Sequence, residues 1–248
     1  MVRIASLLYL INNMKRPIPT FLFLIVIFAF LIGCGGNSET SQTPHLKEEP
    51  KDKVQNMESK KAINSPPNIL FYGNSLTAGL GVDSDDAFVT LIQNKIDEIG
   101  KNYKCINAGL SGETTAGGNN RINWVLRNNN PTIFVLELGG NDGLRGIDPK
   151  SSKQNLQSIL DAVKTNNADT KILLAGMEAP PNMGADYTAS FRSIYSELSK
   201  ENEIPFIPFL LDRVGGIKEL NQADGIHPNE KGQVIVAENI WKYLEPMI

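Results

Sequence analysis

From residue 68 to the carboxyl end, short apolar runs alternate with longer segments whose apolar residues recur every three or four positions. The runs are NILFY, KNYKCIN, TIFVLEL, TKILLAG and IPFIPFL. Runs of this length, rich in β-branched and aromatic residues, read as strands covered on both faces. TIFVLEL, residues 132–138, is the strongest of them. The intervening segments read as amphipathic helices. AFVTLIQNKIDEIG places Phe88, Leu91, Ile92, Ile96 and Ile99 at helical spacing, and SSKQNLQSILDAVKTNN does the same with Leu156, Ile159, Leu160 and Val163. YTASFRSIYSELSKEN carries Phe191, Ile194, Tyr195 and Leu198. A further helix is expected around residues 119–126. The closing segment NEKGQVIVAENIWKYL has an apolar set that includes Val234, Ile235, Ala237, Ile240, Trp241 and Leu244. Strict alternation of strand and helix predicts an α/β fold, a parallel sheet with helices on both faces. The roughly 180 residues involved suit one domain.

Folds of this kind bind ligands beyond the carboxyl ends of their strands. The polar segments after the first three strands, GNS, GLSGE and GGND, are therefore expected to meet, and DGIHP, ahead of the last helix, can join them. Ser75 follows the first strand at a glycine-containing turn. An alcohol is a poor nucleophile unless a base takes its proton. The domain holds one histidine, His227, with Asp224 three residues before it. In a tight turn Asp224 can hold one imidazole nitrogen while the other faces Ser75. Acyl transfer also needs donors for the developing oxyanion. The candidates are the backbone N–H groups of Ser75 and Gly112 and the side-chain amide of Asn141. Each residue has a plainer reading: Ser75 as a helix N-cap, Gly112 as a turn glycine, Asn141 as a loop cap, Asp224-Gly225 as a turn, and His227 as a surface residue.

Charge excludes some classes of function. The 24 basic and 27 acidic residues leave a formal charge of -3, and basic patches such as MKRP are short, so nothing points to a nucleic-acid binder. Two cysteines, Cys34 and Cys105, make no disulfide scaffold, and two histidines, His45 and His227, make no histidine metal site. No metal or organic cofactor is expected. Cys105, in a predicted strand, reads as a buried inert thiol. Trp124 and Trp241 read as apolar helix-face residues.

The first 67 residues are of another kind. Lys15 and Arg16 precede FLFLIVIFAFLI, twelve apolar residues without a charge. That is short of the about 20 a spanning helix needs and fits the apolar core of a signal peptide. It runs into LIGC, which resembles the bacterial lipoprotein cleavage box, with Cys34 as the lipidated first residue of the mature chain. Met14 offers an alternative start, reading MKRPIPTFLF. Residues 1–33 are thus expected to be a lipoprotein signal peptide. Residues 34–67 are the lipidated cysteine and a polar linker too poor in apolar residues to order itself, and residues 68–248 are the folded domain. A diacylated Cys34 anchors stably to a membrane. This predicts a domain held at the bacterial cell envelope, outside the cytoplasm, with no obligate protein partner evident.

The ordered set GNSLTAG, NAGLSGETTAGG, LELGGND and DGIHPNEKG resembles the motif blocks of the SGNH/GDSL hydrolase superfamily. The similarity covers nearly all of residues 68–248 and leans toward the bacterial arylesterase, acyl-CoA thioesterase and lysophospholipase subgroup. It implies a three-layer αβα sandwich with a mostly parallel five-stranded sheet. The family's nucleophile falls on Ser75, its acid on Asp224 and its base on His227, and its oxyanion donors on Ser75, Gly112 and Asn141. The stretch GMEAPPNMG resembles the substrate-side loop of the subgroup. The implied activity is hydrolysis of carboxylic esters or thioesters, including aryl esters and lysophospholipids, through an acyl-enzyme. Carbohydrate O-acetyl ester hydrolysis is the enzymatic alternative, and an inactive surface binding module is the non-enzymatic one. One position departs from the pattern: the family usually has aspartate before the serine, and this chain has Asn74. Asparagine keeps an acceptor, loses the charge and adds donors. Asn74 is expected to support the turn, and with it the loop that carries Asn141.

Overall fold

A computed structural model describes residues 66–248. The leader, Cys34, His45 and the linker up to residue 65 lie outside the described residues. Five strands form one sheet: β1 Asn68–Gly73, β2 Lys104–Gly109, β3 Ile133–Glu137, β4 Lys171–Ala175 and β5 Phe206–Ile207. Their order is β2-β1-β3-β4-β5, and every pairing is parallel. The chain starts in the middle, steps out to β2, and returns past β1 to β3. The order therefore reverses between β1 and β3, and the crevice beyond their carboxyl ends is where such sheets bind ligands.

Seven helices follow the strands: α1 Ser75–Ala78, α2 Phe88–Glu98, α3 Thr115–Asn128, α4 Gly140–Arg145, α5 Pro149–Asn166, α6 Ala185–Asn202 and α7 Glu230–Leu244. α3 packs on α5 and α5 on α6, while α2 packs on α7, giving the helical layers that sandwich the sheet. The three-layer αβα fold is as expected. The strands become continuous apolar runs because both faces are covered: every residue of β3 is buried, as are the last five of β1.

Several sequence readings shift. α3 begins at Thr115, four residues before the expected start. Its first turn, TAGG, is a poor helix former, and it is held from outside. Thr114 caps the Gly117 N–H, and the buried carboxylate of Asp142 accepts from the N–H and hydroxyl of Thr115. On α7, Val234 is 47 % exposed and Val236 takes the core position. Asn239 is also buried there because its amide donates to the carbonyls of Leu210 and Asp212. Trp124 is 61 % exposed, so it lies outside the apolar face of α3. Cys105 is half-buried on the edge strand β2. Burial, helped by Asp97, pushes its thiol up to about 12, which makes it an unreactive group.

Candidate active site

β1 ends at Gly73, and the chain turns through Asn74 into the single turn α1. Asn74 caps that turn, its side-chain oxygen accepting from the Leu76 N–H at 2.9 Å. Ser75 is thus the first helical residue rather than the cap. Its N–H has no intrahelical acceptor, and its side chain points at the carboxyl end of the sheet. Ser75 Oγ lies 2.8 Å from His227 Nε2, and His227 Nδ1 lies 2.6 Å from Asp224 Oδ2. Asp224 Oδ1 also accepts from the N–H groups of Ile226 and His227, at 2.9 and 3.0 Å, which folds the DGIH segment into the tight turn the spacing allowed. These hydrogen bonds, that from His227 first, hold the Asp224 carboxyl down at about 2. An ionised carboxylate only accepts, so Nδ1 carries the imidazole proton and Nε2 is left to accept from the serine hydroxyl.

The donor residues are brought to the same crevice to different degrees. Asn141, on α4 after β3, lines a cavity together with Ser75 and His227. One hydrogen of its amide goes to the Glu113 carbonyl at 2.9 Å, which leaves the second for a ligand. Gly112 sits in the loop after β2 at φ 82°, in the left-handed region that suits glycine. It does not itself line the cavity. Its carbonyl accepts from Arg145, 3.2 Å, and its neighbour Glu113 is bonded to Asn141. Glu113 in turn is buried and paired with Arg121, whose guanidinium also reaches the Ala108 carbonyl and lies 4.1 Å over the Tyr72 ring. The loop is therefore fixed by an ion pair beneath it.

The cavity measures about 860 Å³. Its lining is mostly apolar and includes Leu144, Met177, Met183, Phe209, Leu211 and Ile226, with Glu178 and Asn182 among the polar residues. Met177 and Met183 belong to the GMEAPPNMG stretch after β4, so that segment lies beside the serine as expected. Glu178 in that lining is paired with Arg192 at 2.9 Å.

Sequence reasoning missed one group next to the serine. Glu137, the last residue of β3, is 2 % exposed. Its Oε2 accepts from the Asn74 N–H at 3.1 Å and the Thr77 hydroxyl at 2.8 Å, and its Oε1 accepts from the Asn74 amide at 2.8 Å. A Cβ at Gly73 would collide with Thr77 Oγ1 and Glu137 Oε2, so glycine there is what lets the carboxylate reach the turn. Burial pushes the Glu137 carboxyl up to about 7, against hydrogen bonds from Thr77 and Asn74 that favour its ionised form. Asn74 thus caps the serine turn and bonds to Glu137 at the end of β3, with no hydrogen bond to the Asn141 loop. The available signal was a carboxylate closing an otherwise apolar strand, LEL followed by two glycines.

The model of the GDSL-like lipase/acylhydrolase family matches residues 71–235. Esterase TesA of Pseudomonas aeruginosa is 39 % identical over 180 residues, 73 % of this chain and 89 % of that protein. The thioesterase 1/protease 1/lysophospholipase L1 of Escherichia coli K12 is 36 % identical over 180 residues, covering 73 % of this chain and 84 % of its own. Among solved structures, the esterase EstA from a Pseudoalteromonas species, described as inhibited by monoethylphosphonate, superposes with a TM-score of 0.68 at 31 % identity, over 73 % of this chain and 97 % of that one.

Proposed function

The chain belongs to the GDSL-like lipase/acylhydrolase family and is a serine hydrolase of ester bonds, and from that premise we propose that Ser75, His227 and Asp224 carry the reaction. The supporting observation is the continuous relay from Ser75 Oγ to His227 at 2.8 Å and on to Asp224 at 2.6 Å, opening on an apolar cavity. His227 Nε2 takes the Ser75 hydroxyl proton as Oγ attacks the carbonyl carbon. Asp224 holds the imidazole tautomer and stabilises the imidazolium. The Ser75 N–H and the Asn141 amide, both at the cavity, receive the oxyanion, and the Gly112 N–H, in the adjoining loop, is assigned as the third donor from the motif resemblance. The tetrahedral intermediate collapses, and the alcohol or thiol leaves with the proton from His227. Water then repeats the sequence on the acyl-enzyme and frees the carboxylic acid.

The substrate we assign is an ester with a medium or long acyl chain, such as a lysophospholipid or an acyl aryl ester. Leucine, methionine and phenylalanine side chains favour methylene groups, and a sugar acetate would leave most of this wall unused. Each buried methylene contributes about 0.8 kcal/mol, so kcat/KM for p-nitrophenyl esters is expected to rise about four-fold per methylene from acetate toward octanoate. A maximum at acetate, with turnover of acetylated xylan, would reverse the assignment toward carbohydrate esters.

We further propose that Cys34 is lipidated and holds this domain at the cell envelope. The order of basic residues, apolar core and LIGC supports it. The full chain is expected to take up an alkynyl fatty acid in a bacterial host, and Cys34→Ser to lose it; equal labelling of both removes the proposal.

A further inference from the structure

Glu137 has no part in the proton relay, yet the serine turn is built on it. Its two oxygens receive the Asn74 amide, the Asn74 N–H and the Thr77 hydroxyl, and through Asn74 they are one residue from Ser75 and one hydrogen bond from the Leu76 N–H. All three of those groups arrive from the turn, and Glu137 is 2 % exposed. We infer that Glu137 is a positioning residue for ester hydrolysis, setting the placement of Ser75 Oγ and N–H through Asn74 and Thr77, and that the Asn74 amide is what allows it to do so without a shared proton. The inference rests on Ser75 as the nucleophile.

The hydrogen-bond polarity carries the argument. Apart from the Thr77 hydroxyl, which can also accept, the groups facing Glu137 are N–H donors. An ionised carboxylate satisfies all of them. A protonated one has a hydrogen that only the Thr77 oxygen can take. If position 74 held a carboxylate, its oxygen would face Glu137 Oε1 where the amide now donates, and the pair would have to share a proton. The other ionisable groups nearby are engaged elsewhere. Tyr195 on α6 donates to the Leu138 carbonyl, 2.9 Å, and Arg121 on α3 reaches the Gly73 carbonyl at 3.4 Å while paired with Glu113. Asp142 on α4 is bonded to Thr115 and Ser152, and His227 stands beyond Ser75.

A polarity swap tests this. In Glu137→Gln an N–H must face at least one of the existing N–H donors, whichever way the amide turns. We expect kcat to fall ten- to a hundred-fold with KM within about three-fold. Asn74→Asp needs one shared proton and is expected to lose activity on the alkaline side of the profile, where the wild type holds. The double variant Asn74→Asp/Glu137→Gln reverses the pair: the carboxylate introduced at position 74 accepts from the new amide, while the glutamine oxygen accepts from the backbone N–H of position 74 and from Thr77. It is expected to recover kcat to within a few-fold of wild type and to regain the alkaline plateau. Thr77→Val, which keeps shape and removes one donor, gives a smaller kcat loss in a chain that needs no compensating change. A Glu137→Gln protein with wild-type kcat overturns the inference. So does a double variant that melts like wild type yet recovers no kcat, or a folded Thr77→Val protein with unchanged kcat. Wild-type protein without ester turnover or fluorophosphonate labelling would instead remove the reading of Ser75 itself.

Discussion

Ser75→Ala is expected to give a folded protein whose ester turnover is about 10⁴- to 10⁶-fold below wild type. The expected size follows from the geometry. Ser75 Oγ is the group hydrogen-bonded to the imidazole, and no second hydroxyl or thiol in the described site can replace it: Cys105 lies on the edge strand with its thiol pushed up to about 12. Ser75 is 7 % exposed, and alanine keeps its Cβ in place, so the substitution removes only the hydroxyl and its contacts with His227 and Asn74. The backbone N–H that faces the oxyanion survives the substitution, as do the Asn141 amide and the cavity. A residual rate above that of water is therefore expected from binding and oxyanion stabilisation alone. The measurements are kcat on a p-nitrophenyl ester, a thermal melt, and labelling by a fluorophosphonate. A variant with more than about one-tenth of wild-type turnover would end the assignment of Ser75.

The second large effect is expected at Asp224. Asp224→Asn preserves shape and can keep the bonds from the Ile226 and His227 N–H groups through its remaining oxygen. It presents either an N–H to the Nδ1 hydrogen or an amide oxygen without charge. The first outcome moves the imidazole proton to Nε2, where it can no longer accept from serine, and the second weakens the imidazolium. In a fully buried triad such a change lowers kcat about 10⁴-fold. Here the Asp224 side chain is 44 % exposed, so water screens part of its charge. We expect a loss of about 10²- to 10⁴-fold, mainly in kcat. The wild-type carboxyl, held at about 2, stays ionised across any working pH, so acid loss of activity cannot come from Asp224. A loss under about tenfold would show that the tautomer is held by something other than this contact.

The parts of the fold that were legible are those whose burial has a period. The central strands β1, β3 and β4 and the long helices announce themselves because both faces of the sheet's middle are covered and each helix buries one stripe, whereas the edge strand β2 has no fully buried residue and β5 is two residues long. α1 and α4 carry no such signal, being one turn and six residues long. They exist because the chain must leave β1 and β3 at the crevice. The early start of α3 was hidden for a related reason: the carboxylate that stabilises it, Asp142, comes 27 residues later. The site divides in the same way. Ser75, Asp224, His227 and Asn141 were readable because they stand in short segments that the strand order must gather. Glu137 was not, because a carboxylate at a strand end reads as a solvated terminus. Only the contact with Asn74 and Thr77 reveals it as interior. The position of Asn74 then stops being a missing acid and becomes the donor half of a pair.

Ser75 and His227 sit 152 residues apart, near opposite ends of the domain's chain. At a synthesis rate of about 5–20 residues per second, Ser75 is made roughly 8–30 s before His227. β1, the strand that aims Ser75, lies in the middle of the sheet and needs β3, a later segment, on its other side. A growing chain therefore lacks the Ser75–His227 contact until residue 227 has been made. The contact assigned to activate Ser75 is thus among the last in the domain to form, after all five strands have been made.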